Sequence, residues 1–293
     1  WATGVALRKV SAESGEHLQG SGRYYELVKA YAYTESSDGT VHMHHDLTDV
    51  PKSRWSRYGE QFALFELTVP QPLPWLAGFA YPDLLRPEVA KRFIECTYEP
   101  YKEKFGSDFG ETIPAVFTDE PRIAARNLWQ QGIESTAFSY WFNMQFQQIN
   151  GYDLIDCLPH LFFEKCAGHF AVDRLKVRYD YYHTLHRLWI QNFIKPLSDW
   201  CKQNGLKFTG HFLEHSWPHA KTSPAIMSLY EYLDWPGIDM LNTFMLKEDG
   251  THPLLLTIRE AHSAANQLRK ERVICETYGA GGWDATFEDF KRI

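Results

Sequence analysis

Three short β-branched or aromatic runs end on an acidic residue followed at once by Pro, Gly, His or an aromatic side chain. They are Ile113 to Pro121 (IPAVFTDEP), Leu206 to Pro218 (LKFTGHFLEHSWP) and Arg272 to Trp283 (RVICETYGAGGW), carrying Glu120, Glu214 and Glu276. Each reads as a buried strand with an acid at its C-terminal end. Carboxylates gathered from several strand ends suit glycoside hydrolysis, in which one carboxyl group protonates the leaving oxygen while another activates water or attacks directly.

Each segment offers its own constellation. In Asp119-Glu120-Pro121, neighbouring residues of a strand face opposite ways, so one carboxylate enters the site and the other turns outward. Glu120 is the expected inward residue and general acid; a loop-capping Asp-Glu pair is the alternative. His211-Phe-Leu-Glu214-His215 matches the H-x-x-E-H zinc pattern, which needs a helix to bring its residues onto one face. Asn204-Gly205 and the strand-like LKFTG precede it and Pro218 follows, so it reads as a strand running into a polar loop. His211, His215 and Trp217 then become substrate contacts, with a zinc peptidase as the alternative. In CETYGAGGWD the glycines let the backbone pass close to a ligand, Tyr278 lies beside Glu276, and Trp283 offers an apolar plate for a sugar ring. No Lys-Ser/Thr follows those glycines, so this is no phosphate loop. A tight turn with Trp283 in the core is the alternative.

Helical patterns separate these strands. Asp83 to Phe105, Thr136 to Gln148, Asp173 to Asn204, Pro224 to Asp234 and Pro253 to Arg269 carry apolar residues at spacings of three and four, and a further strand is expected at Ile238 to Phe244, including Asn242. Helix and strand alternate with short connections, as parallel right-handed units require. The expectation is therefore an α/β fold: a (β/α)8 barrel of the TIM type over residues 81–293, incomplete at both ends, with its chemistry at the strand C-termini. Residues 1–80 contain the alternating runs YYELVKAYAY and QFALFELTV around a turn-rich, His-containing segment, and read as a small β-rich insertion or an early barrel segment.

Composition narrows the function classes. Among 293 residues the net charge is −7, which disfavours nucleic acid as a partner, and no apolar run is long enough to span a membrane. Aromatic residues make up 15% of the chain, with ten Trp, enough to furnish a sugar-stacking surface beyond the core, and a noncatalytic carbohydrate-binding relative that keeps Trp217, Trp235 and Trp283 is a further alternative to the hydrolase. Five cysteines without a CxxC pair argue against a disulfide framework and favour a reduced compartment. The chain begins at Trp1 and ends within a helical pattern, so it reads as a piece of a longer protein.

The stretches FTDEP, GYDLIDCLPHLF, RYDYYHTL, FTGHFLEHSWP, YEYLDWPGIDMLNT, LTIREAHSAANQL and CETYGAGGWDATFEDFKR, in this order, resemble the barrel of bacterial α-L-rhamnosidases of glycoside hydrolase family 106. The resemblance runs from about residue 80 to the end. It implies an inverting enzyme acting on a glycoside or oligosaccharide, with no organic cofactor and with calcium helping to hold sugar hydroxyls. By matching motif, Glu120 and Glu276 become the catalytic pair and Glu214 a third carboxylate. By their expected positions at the strand ends, and not by the resemblance, Asp119, His211, His215, Trp217, Asn242, Tyr278 and Trp283 are the expected substrate contacts.

Overall fold

The computed structural model describes residues 1–12, 26–70, 72, 74–123, 135–214, 223–240, 253–279, 283 and 286–292. The described strands are β1 (Gly4–Ser11), β2 (Glu26–Glu35), β3 (Val41–Asp46), β4 (Gln61–Thr68), β5 (Ala115–Asp119), β6 (Ser135–Ala137), β7 (Cys166–Ala167), β8 (Lys207–His211), β9 (Trp235–Met240) and β10 (Ile274–Thr277). They form two sheets, one in each of two compact units. Unit 1 comprises Trp1–Asp83 and Ala124–Thr184, and unit 2 comprises Leu84–Ile123 and Leu185–Ile293.

The sheet of unit 1 has six strands in the order β6-β1-β4-β2-β3-β7. β1 and β4 pair antiparallel along their whole length, from Gly4 opposite Thr68 to Ser11 opposite Gln61. β2 and β3 form an antiparallel hairpin whose turn places Gly39 at φ +79°. Asp38 holds that turn by accepting from the Thr40 amide at 3.1 Å. Val10, Ala30, Ala32, Leu47, Trp55, Phe62 and Leu64 pack as its hydrophobic cluster, and the Trp55 indole N–H donates to the Val50 carbonyl at 2.8 Å. The indole thus adds apolar area to the core without leaving its donor unpaired.

Unit 2 holds a parallel sheet of four strands in the order β10-β9-β8-β5. Helix Lys195–Gln203 leads into β8, and helix Pro253–Gln267 links β9 to β10. The strands are packed closely enough to exclude a side chain at Gly210. That residue has φ +129°, and a Cβ there would collide with the Thr118 carbonyl oxygen and lie 2.6 Å from the Thr118 amide nitrogen. Trp189, Phe208, Phe212 and Tyr230 fill the core behind the sheet, with the Trp189 ring edge-on to Phe212 at 5.6 Å.

The expected eight-stranded (β/α) barrel over 81–293 is overturned by this topology. The described strands divide into a mixed six-stranded sheet and a parallel four-stranded sheet, and no ring of eight parallel strands exists among the described residues. The physical reason lies in the pairing. Strands β1 to β4 are joined antiparallel, which a barrel of parallel strands cannot take in, and four parallel strands are too few to close. No helix of the described residues is long and apolar enough to cross a membrane.

Candidate active site

The parallel sheet brings one ionisable residue from each of its four strands to the same end. Asp119 of β5 stands opposite His211 of β8, and Asp239 of β9 stands opposite Glu276 of β10. Residues in register on neighbouring strands project to the same side, so the sheet alone sets these groups together. His211 lies at the centre, 1% exposed. Its Nε2 is 2.8 Å from Glu276 Oε2 and 3.7 Å from Asp119 Oδ1, and its Nδ1 is 3.4 Å from the Phe212 carbonyl oxygen. Both ring nitrogens therefore face acceptors, an arrangement that the imidazolium satisfies best. Burial opposes that charge, but the carboxylates of Glu214, Glu276 and Asp239 prevail and raise the His211 pKa.

Glu120 departs from the alternation expected of a strand. Its φ of +42° is left-handed, its amide donates to the His211 carbonyl at 3.2 Å, and its carboxylate is 3.9 Å from the Arg122 guanidinium. Because of that turn, Asp119 and Glu120 do not separate onto opposite faces: both bring a carboxylate to His211. A non-glycine residue in this region is strained by about 1–3 kcal/mol, and such strain concentrates at functional sites.

Glu214 sits in the turn after β8, wholly buried. Its Oε1 accepts from the Asp239 amide at 2.7 Å, whereas Oε2 meets no partner among the described residues. Burial pushes its pKa up to about 8. Asp239, 4% exposed, is pushed up to about 6, first by burial and then by the charges of Glu276, Glu120 and Asp119, and its Oδ1 is likewise without a described partner. Two carboxyl groups that favour protonation thus lie beneath the more accessible Asp119, Glu120 and Glu276.

The structure brings together Asp119, Glu120, His211, Glu214 and Glu276 from the sequence reading and adds Asp239. That residue was missed, although an acid inside the apolar run GIDM of a buried strand is itself a signal, since a buried carboxyl group needs a reason to be there. Phe117 was missed as well; its ring is 46% exposed and meets His211 edge-on at 5.5 Å. Tyr278 has φ +69° and donates its hydroxyl to the Phe290 carbonyl at 2.7 Å, while Trp283 stands fully exposed. His215, Trp217 and Asn242 lie outside the described residues. His211 is on a strand and Glu214 in a turn, so the helix that H-x-x-E-H requires is absent there.

Two groups of three have ligand atoms within 4.8 Å of one another: Asp119, His211 and Glu276, and Glu120, His211 and Asp239. Calcium takes roughly six to eight oxygen ligands. Each group supplies two carboxylates and spends its third position on a nitrogen, a donor set that does not fit that ion.

No family model matches the sequence, and no curated protein matches it. In structure the chain is similar to a rhamnosidase from Novosphingobium sp. PP1Y, at a TM-score of 0.54 and 22% identity, over 89% of this chain and 25% of that one. The likeness is one of fold, and this chain spans about a quarter of the length of that enzyme.

Proposed function

We propose that unit 2 carries the acid and base residues of a glycoside hydrolase of rhamnosidase type. The observation that carries this reading is the gathering of five carboxyl groups around one buried histidine at the C-terminal ends of four parallel strands. The fold shared with a rhamnosidase supports it. Glu120 and Glu276 are the partly accessible glutamates, with side chains 19% and 39% exposed. Glu120 donates a proton to the leaving glycosidic oxygen. Glu276, paired with His211, takes a proton from the attacking water, and inversion at the anomeric carbon follows from water entering opposite the leaving group. His211 balances the charge on Glu276, and Asp239 and Glu214 form the buried layer beneath it.

Aryl glycosides, α-L-rhamnoside among them, test this with the protein and its Glu120→Gln and Glu276→Gln variants. Hydrolysis of one sugar, reduced by about 10²–10⁴-fold in both variants, is expected. No turnover on any glycoside, or turnover unchanged in both variants, overturns the proposal.

A further inference from the structure

A second site of a different kind lies in unit 1. A cleft of about 340 Å³ is lined by residues of β2 and β3 and of the segments 152–157 and 169–172. That volume is at the lower end of the range of about 300–1,000 Å³ usual for small-molecule sites, room for a mono- or disaccharide. The Lys29 side chain is 11% exposed. The Lys29 ammonium lies 2.8 Å from Asp46 and 2.7 Å from Asp156, whose side chains are 48% and 68% exposed. These groups are held in place before any ligand arrives. Asp46 accepts from the Thr48 amide at 3.0 Å, and Asp153 accepts from the Ile155 amide at 2.8 Å. The Tyr152 hydroxyl donates to Asp180 at 2.9 Å, which fixes its ring against the cleft, and Tyr31 lines the cleft as a second aromatic ring.

The charges select the ligand class. An anion meets the carboxylates of Asp46, Asp153 and Asp156, which outnumber the ammonium of Lys29, while the imidazoles of His44 and His169 complete the polar lining. A cation meets Lys29, which already compensates Asp46 and Asp156. A metal ion needs converging ligands, and among the described residues the groups of three within 4.8 Å all lie in unit 2. A neutral polyhydroxylated ring satisfies every feature. Its hydroxyls use the free lone pairs of the carboxylates and the remaining donor of the ammonium, and its C–H face packs on a tyrosine ring. We infer that this cleft is a noncatalytic binding site for a neutral saccharide, with Lys29, Asp46 and Asp156 as its polar contacts and Tyr31 and Tyr152 as its apolar platforms. The inference stands whether or not the His211 cluster hydrolyses glycosides.

Methionine methyl groups report the two sites separately. Met43 lines the cleft and Met240 follows Asp239 in β9, and the whole chain has only five Met. In the methyl-13C-methionine spectrum, with Met43 assigned through Met43→Leu, the chain is titrated with L-rhamnose, D-glucose and D-galactose. Methylammonium, calcium chloride and inorganic phosphate serve as comparators. At least one sugar is expected to shift Met43 saturably, with affinity reduced roughly tenfold in Asp156→Ala and unchanged in Glu276→Gln. The exposed Asp156 side chain makes that substitution compatible with folding, and native dispersion of the other methyl signals verifies it. Met43 silent toward all three sugars, moved only by a comparator, or moved equally in Asp156→Ala overturns the inference.

Discussion

His211 is the residue on which the candidate site turns, because the carboxylates around it set its charge. Glu214, Glu276 and Asp239 raise its pKa against the effect of burial. Replacing Asp239 by Asn removes one of these charges while keeping the backbone amide that binds Glu214. The His211 pKa is therefore expected to fall in Asp239→Asn, and an imidazole titration by NMR measures the change; a value equal to wild type would remove Asp239 from the network. This residue also marks the limit of what the sequence discloses. Asp119, Glu120, His211, Glu214 and Glu276 were legible because acids and a histidine at the ends of apolar runs break a pattern that any reader can see. Asp239 was not, since its run continues past it as GIDML and reads as an ordinary strand interior. The left-handed backbone of Glu120 was not legible either: φ is a consequence of where the chain must go after β5, and a glutamate gives no local signal for it.

At the scale of elements, the strands carrying the site were legible from β-branched and aromatic runs, and the helices from spacings of three and four. β10 lies within the expected segment, β9 begins before its expected start, and helix Pro253–Gln267 ends two residues before its expected end. Pairing was not legible. Four strands of parallel character invited extrapolation to eight, but strand partners depend on side-chain packing between distant segments rather than on any one segment. β1 was overlooked, although Val5, Leu7 and Val10 suggest it, because a single strand has no periodicity long enough to stand out. Glycine at 210 was legible as a residue but not as a requirement. Its φ of +129° and its contact with the Thr118 backbone predict that Gly210→Ala destabilises the chain by about 2–4 kcal/mol. Gly39→Ala, at φ +79° with nothing within 4 Å of the new Cβ, is expected to cost about 1 kcal/mol. Urea denaturation of the two variants checks this, and equal midpoints would show that β5 and β8 do not approach as closely as Gly210 implies.

At the scale of the whole molecule, each unit is assembled from two separate stretches of chain, and the buried groups whose pKa values shift near neutrality act on stability in opposite directions in the two. In unit 2 the Glu214 pKa rises from 4.5 to about 8 and that of Asp239 from 3.8 to about 6. The native state therefore holds protons that the unfolded chain has released, and stability falls as pH rises through those windows. His211 adds to the same trend: its raised pKa contributes stability that is full below 6.5 and lost as pH climbs through the folded value. Unit 1 behaves oppositely. His160 is buried, and burial lowers its pKa below 6.5, so its share of stability is full above 6.5 and lost as pH falls. Chains of this size with two cores need not unfold in one step. Calorimetric scans between pH 5 and pH 8 are expected to resolve two transitions that move in opposite directions, by about 2–4 °C for each kcal/mol of linkage. Glu214→Gln should flatten the pH dependence of the transition belonging to unit 2 and leave the other in place. A single transition rising with pH throughout, or one unaffected by Glu214→Gln, would mean that the buried carboxyl cluster does not govern the stability of the unit that carries the candidate site.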